Sequence, residues 1–377
     1  MLIRFLLRIA AMFWLGLTAY AQAEKVDERI LLTFIPNVQF APFYVGIESG
    51  YFADAGFNVS LEHLQEPEVL DLVAVGQANY GIVSGEQVIL ARSRGRDVVY
   101  VFEWFQQYPV GLVHNRALDL SDLDDLRRMT IGIPGRFGAS YSGLTTLLGS
   151  AGLSEDDINL REIGFNAPEV FCLGAVDAAI VYVNNEPLQI QHLASKGDCG
   201  AVSAVDVVTV SSQVDLVSNG LIVSGAYLED APDAVERMTR SLGDALRTAI
   251  NNPAYAYLAS LKHVDSLPAD ESLVSALEAA ADGQVEFLAS DPDRDAIAKS
   301  RQQLEADLTE RFDGAMLTQF RVLLNTIELW DAEYLGYSDL ASWKAMRDTL
   351  ESLGYLENEA GDLRDAFTNQ FIAGRDE

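Results

Sequence analysis

The chain has 377 residues, 49% of them hydrophobic, and a formal net charge of -30 from 56 acids against 26 Lys and Arg. That length holds more than one ordinary domain core. A field so negative repels nucleic acid phosphates and anionic lipid surfaces, and both are excluded as partners.

The first segment differs from the rest. Arg4 and Arg8 flank an apolar stretch running through Ile9, Phe13, Trp14 and Leu17, and Ala19-Tyr20-Ala21-Gln22-Ala23 offers two small-x-small cleavage sites. This pattern predicts a signal peptide over residues 1–23 and a mature chain in the periplasm, with an uncleaved anchor as the alternative. No Cys follows the apolar run, so a lipid anchor is not expected, and no later stretch has 18 uninterrupted apolar residues. Cys172 and Cys199 follow the export signal, where oxidation is permitted. A disulfide and two separately buried thiols are both open, and neither residue lies in a CxxC motif.

Strand-like and helix-like segments then alternate. Arg29 to Ile35 reads as strand, Ala41 to Ser49 as helix, Phe57 to Leu61 as strand and Pro67 to Val75 as helix. Tyr80 to Val83 (strand), Glu86 to Ser93 (helix) and Val98 to Phe102 (strand) continue the rhythm. A second unit repeats it with strands at Thr130 to Ile133, Asn159 to Ile163, Asp177 to Val181 and Asp206 to Val210, and helices at Ser140 to Ala151 and Pro168 to Leu173. Short β-rich runs joined through helices predict mostly parallel sheets flanked by helices, an α/β class. The predicted division is a first lobe beginning over 24–110, a second lobe over 111–214, and a return to the first lobe with C-terminal helices over 215–377. The helix-like pieces of that last part are Ala231 to Ala249, Leu273 to Leu288, Asp291 to Arg311 and Trp343 to Leu353. A cleft between two such lobes collects the loops at strand carboxyl ends, where ligands bind.

Catalytic motifs are missing. His63, His114, His192 and His263 lie in separate segments without HxH or HExxH spacing, and there is no GxSxG elbow or GxxxxGK[ST] loop. No cofactor is expected, and an enzyme acting on a heterocycle stands as a rival reading. The strand-end segments instead mix rings with amides and carboxylates. Asn37, Gln39, Phe40 and Tyr44 follow the first strand, and Glu103, Trp104 and Tyr108 follow Val98 to Phe102. The Gly-Pro-Gly turn leads into Arg136, Phe137, Gly138, Ser140 and Tyr141, offering close backbone approach, a hydroxyl and helix N–H groups. Tyr182, Asn184, Asn185 and Glu186 end a fourth segment, where Asn184 also suits a helix N-cap. Ser84 and Glu86 form a weaker turn of the same kind. Faces that stack and side chains that read an edge suit a small heteroaromatic ligand.

Four stretches carry a family resemblance: PNVQFAPFYVGIESGYFADAGFNV at 36–59, GQANYGIVSGEQVILARSRG at 76–95, GIPGRFGASYSGLTTLLGSAGL at 132–153 and GAVDAAIVYVNNEPLQI at 174–190. Over residues 28 to 250 the chain resembles the solute-binding proteins of ABC importers, in the THI5/NMT1-like branch of thiamine-pyrimidine, sulfonate and riboflavin binders. The resemblance implies a two-lobed periplasmic-binding-protein fold (type II) with a C-terminal helical extension, a ligand enclosed as the lobes close, and a membrane permease as partner. A monomer is expected. The family's motifs carry over as Asn37, Gln39, Pro42 and Tyr44, as Gly135, Gly138, Ser140 and Tyr141, and as Tyr182, Asn184, Asn185 and Glu186. Pyrimidine-precursor binders usually carry Trp and His where this chain has Phe34-Ile35 and Gln39-Phe40, and the cysteine-rich stretch of the pyrimidine-synthesising relatives is absent. The pattern is more similar to the riboflavin-binding members, with a pyrimidine precursor as the alternative. A sulfonate is a further alternative that finds few basic groups beside Arg136.

Overall fold

The computed structural model describes residues 25–372, apart from positions 121, 213, 215, 357, 359 and 360. The expected signal peptide lies outside the described residues.

Among the described residues, ten strands form two five-stranded sheets. In chain order they are β1 (Val26–Thr33), β2 (Phe57–Leu64), β3 (Tyr80–Ser84), β4 (Val98–Glu103), β5 (Val110–Asn115), β6 (Thr130–Ile133), β7 (Asn159–Glu162), β8 (Ala178–Tyr182), β9 (Val205–Thr209) and β10 (Asn219–Ser224). The first sheet has the order β2-β1-β3-β10-β4 and the second β7-β6-β8-β5-β9. The chain therefore passes to the second sheet after β4 and returns at β10, giving a two-lobed α/β fold of the periplasmic-binding-protein kind. The sheets are mixed, because β10 runs antiparallel to β3 and β4, and β5 antiparallel to β8 and β9.

Those two reversed strands are the ones that the sequence pattern does not reveal. Asn219–Ser224 is buried at every position, so it shows no inside-outside alternation. Gly220 breaks its apolar run for a packing reason: a Cβ there would overlap the Tyr100 ring and the Phe102 carbonyl.

Helices cover both sheets. Pro232–Asn251 buries Val235, Met238, Leu242, Ala245, Leu246 and Ala249 along one stripe, which packs on Ala41–Glu48 beneath the first sheet. Two further helices, Pro253–Ser260 and Gly314–Trp330, lie where the sequence pattern predicts none. The expected helix at Asp291 begins later, at Arg294, because Asp293 caps it by accepting the Ala296 N–H at 2.8 Å. The C-terminal segment returns to the first sheet, where Phe367 bridges to Tyr100 on β4 and Trp343 stacks on Phe367 at 5.1 Å. This covers the open edge of β4. Cys172 and Cys199 are joined in a disulfide on the second lobe.

Candidate functional site

A cleft with about 830 Å³ of empty space, counted out to the solvent at its mouth, lies between the two sheets. Its first-lobe wall begins where β1 ends. The strand ends at Thr33, and in the turn beyond Pro36 the Asn37 Oδ1 accepts the Gln39 N–H at 3.0 Å, which sets Gln39 and Phe40 against the cleft. Phe34, at φ 68°, is a non-glycine residue in the left-handed region. Its carbonyl faces His63 Nδ1 at 3.0 Å, and its ring meets Phe165 of the second lobe edge-on at 4.8 Å.

Trp104 and Phe105 follow β4 and complete an aromatic wall. Trp104 lies 5.3 Å from both Phe40 and Phe43, 4.7 Å from Phe105 and 6.0 Å from Trp330. The second lobe contributes Phe137 from the loop after β6, Ser140 from the first turn of the helix Gly138–Ser150, Phe165 from the loop after β7, Tyr182 from the end of β8 and Glu186 from the start of the helix that follows it. Asn219 enters from the start of β10. No Lys or Arg is among the described residues lining the cleft.

Two carboxyl sites shape its electrostatics. Burial pushes Glu186 up to about 7, against the opposing pull of backbone N–H groups, including that of Tyr182 at 3.0 Å. The second site is a pair. The Ser84 hydroxyl touches both Glu66 and Glu86, and the Ser84 N–H reaches Glu66 Oε1 at 2.6 Å. Burial raises both carboxyls, and the charge on Glu66 pushes Glu86 further, to about 8. One hydroxyl has one proton to give, so two ionised carboxylates cannot both be satisfied by it. Backbone N–H groups of Ser84 and Ala139 pull the Glu66 carboxyl down against its burial, whereas Glu86, pushed up to about 8, is the member of the pair that keeps a proton at neutral pH.

Of the residues singled out from sequence, Gln39, Phe40, Trp104, Phe137, Ser140, Tyr182 and Glu186 line the cleft. Asn37 shapes the turn behind them. Gly138, at φ 65°, lies against Glu66, whose Oε2 a Cβ at 138 would overlap. Ser84 and Glu86 stand behind Glu66. Tyr108 donates to the Ala139 carbonyl at 2.8 Å, and Tyr44 stacks on His263 at 4.7 Å in the first-lobe core. Glu103 is buried, and its backbone N–H reaches the Gly336 carbonyl at 2.9 Å. Asn184 reaches Thr326 at 2.7 Å, while Asn185, not Asn184, is the N-cap residue of helix Glu186–Lys196. Arg136 pairs with Glu155 and Glu162, and the Tyr141 hydroxyl donates to Glu155 at 2.8 Å.

Phe105, in the ring-rich stretch after β4, also lines the cleft, as do Glu66, Phe165 and Asn219, which the sequence pattern does not single out. An acid just before Pro67 reads as ordinary first-turn chemistry, and Asn219 opens the hidden strand β10. Among the described residues no group of three His, Cys, Asp or Glu could hold a metal ion.

The arrangement is a cleft between two α/β lobes, a fold characteristic of non-catalytic solute-binding proteins. The chain belongs to the NMT1/THI5-like family, whose model matches residues 37–256. It is similar to the riboflavin-binding protein RibY of Chloroflexus aurantiacus, with 29% identity over 362 residues, spanning 94% of this chain and 88% of that one. A formylaminopyrimidine-binding protein of Halalkalibacterium halodurans is 27% identical over 261 residues, spanning 66% of this chain and 76% of that one. The ligand-binding component of an ABC-type import system from Staphylococcus aureus shares the fold, with a TM-score of 0.59, 10% identity and coverage of 92% and 98% of the two chains.

Proposed function

We propose that this protein is the extracytoplasmic solute-binding component of an ABC importer, and that its cleft takes a flat nitrogen heterocycle of the vitamin or vitamin-precursor class for delivery to a membrane permease. The observation carrying this reading is the composition of the cleft wall. Rings from both lobes offer stacking faces, and Gln39 Nε2 and Trp104 Nε1 are buried donors without partners among the described residues. A buried donor left unpaired is costly, so a ligand bringing carbonyl or ring-nitrogen acceptors to that wall gains from both. The disulfide suits an oxidising compartment outside the cytoplasm.

Riboflavin is the first ligand to test. Its fused pyrimidinedione ring carries two carbonyl acceptors, and a similar protein spanning 94% of this chain is named for binding it. The second reading is an aminopyrimidine precursor of thiamine. Glu66 and Glu186 favour it, since an amino group would donate to either carboxyl, and the other similar binding protein is named for formylaminopyrimidine. Sulfonates fit poorly in a wall without a cation.

The test is titration of ligand-stripped protein with riboflavin, read by flavin fluorescence, and with formylaminopyrimidine, read by calorimetry. Saturable binding of either at micromolar concentration supports the class and chooses the member. Binding of neither ends this reading, and mass spectrometry of ligand retained through native purification then identifies the solute.

A further inference from the structure

Helix Gly138–Ser150 points its N-terminus at the cleft, where Ala139 and Ser140 form part of the wall. The first backbone N–H groups of a helix have no partner within it, and together with the helix dipole they favour a phosphate or sulfonate. Here that position is already filled from the other lobe. Glu66, in the first turn of helix Glu66–Ala74, receives the Ala139 N–H and packs so close to residue 138 that only glycine fits. Ser84 fixes the carboxylate from behind with its N–H and its hydroxyl. On the same cleft, Gln39 is 4% exposed and its Nε2 has no partner among the described residues, so the site is also built for a neutral acceptor.

We infer that Glu66 is a specificity-determining residue: it supplies the helix N-terminus with the protein's own carboxylate and thereby shuts phosphorylated and sulfonated solutes out of the cleft, leaving it to the uncharged heterocycle. This deepens the reading of the cleft as a heterocycle site and rests on it for the identity of the ring. An incoming phosphate would displace Glu66 from its N–H donors or lie beside it, and no Lys or Arg among the described lining residues offsets that repulsion. Glu186, on the opposite wall, adds a second acid.

The test compares the full chain with Glu66→Gln, which keeps the shape, and Glu66→Ala, which empties the position. In one arm each is titrated calorimetrically with inorganic phosphate at millimolar concentration. In the other, each is titrated with riboflavin and with riboflavin 5′-phosphate. The wild type is expected to show no phosphate binding and to prefer the neutral ring at least about a hundredfold, and each variant is expected to lose at least about tenfold of that preference. Glu66→Ala is expected to gain phosphate binding. Wild-type protein that binds the ester as well as the free vitamin overturns the inference, as does a folded variant with unchanged preference. If the wild type binds neither flavin, the riboflavin member of the heterocycle reading falls, formylaminopyrimidine decides the class, and the phosphate arm alone decides this inference: a gain in Glu66→Ala supports it and no gain refutes it. Should Glu66→Ala fail to fold, Glu66→Gln takes its place in the phosphate arm, where a gain of binding supports the inference and no gain refutes it.

Discussion

The Tyr182 hydroxyl, at the end of β8, donates to Asn219 Oδ1, at the start of β10, over 2.7 Å. One bond thus ties the second sheet to the first inside the cleft that both residues line. Tyr182→Phe keeps the ring and removes the tie. A single such bond contributes about 1 kcal/mol, so ligand affinity should fall roughly five- to tenfold if closure uses it. Calorimetric titration of the variant with the confirmed ligand checks this, and unchanged affinity would mean that the tie contributes nothing to the bound state.

Trp104 has two roles that two substitutions separate. It is 3% exposed among Phe40, Phe43, Phe105 and Trp330, so Trp104→Ala should cost about 3–5 kcal/mol of stability, read as a lower denaturation midpoint. Trp104→Phe retains a ring and deletes the unpaired Nε1 donor. It should leave most of the stability and weaken ligand binding by roughly 1 kcal/mol.

Tyr141 makes the opposite case. Its hydroxyl is engaged by Glu155 and Tyr355, and the residue is absent from the cleft wall. Tyr141→Phe is expected to cost about 1 kcal/mol of stability or less, with ligand affinity within about twofold of wild type. A large affinity loss in titration would place Tyr141 in the site after all.

Much of the cleft can be read from the chain because strand ends announce themselves. Gln39-Phe40, Trp104 and Tyr182 each follow a dense apolar run, and a ring or amide there has only the inter-sheet space to enter. Glu66 cannot be read this way, since its meaning comes from Ala139 and Gly138 on a different lobe. Arg136 misleads for the converse reason: an isolated cation beside a glycine turn suggests an anion site, but Glu155 and Glu162 neutralise it from other elements. The reversed strands β5 and β10 stay hidden because nearly every position in them is buried, leaving no period to read.

Stability should depend on pH through the buried acids. The folded-state values of Glu86 and Glu186 are raised, to about 8 and about 7, above an ordinary 4.5. A raised carboxyl binds its proton more tightly when folded, so the associated stability is complete below 4.5 and is lost as pH rises through 7 and 8. The melting temperature should therefore fall between mildly acidic and mildly alkaline solution. Glu86→Gln should flatten that fall, and an equally steep decline in the variant would show that Glu86 is not responsible.

Reduction of the Cys172–Cys199 disulfide opens a loop with a sequence separation of 27. Loop-closure entropy puts its contribution at about 3.5 kcal/mol. Dithiothreitol should lower the melting temperature of the wild type and leave a Cys172→Ser/Cys199→Ser chain unmoved.

The bridge from Phe367 to Tyr100 also orders events in time. A chain delivered from its N-terminus exposes the edge of β4 early, yet the segment around Phe367 that covers this edge arrives only after the whole second sheet and the helices that follow it. Even β10, which lies between β3 and β4, comes only after the whole second sheet has been made. The first lobe is thus begun first and finished last. Its central pairing is highly non-local, which slows folding and leaves a growing chain with an open strand to guard. A nascent chain stalled before the segment around Phe367 should accordingly be a better chaperone client than one that carries it.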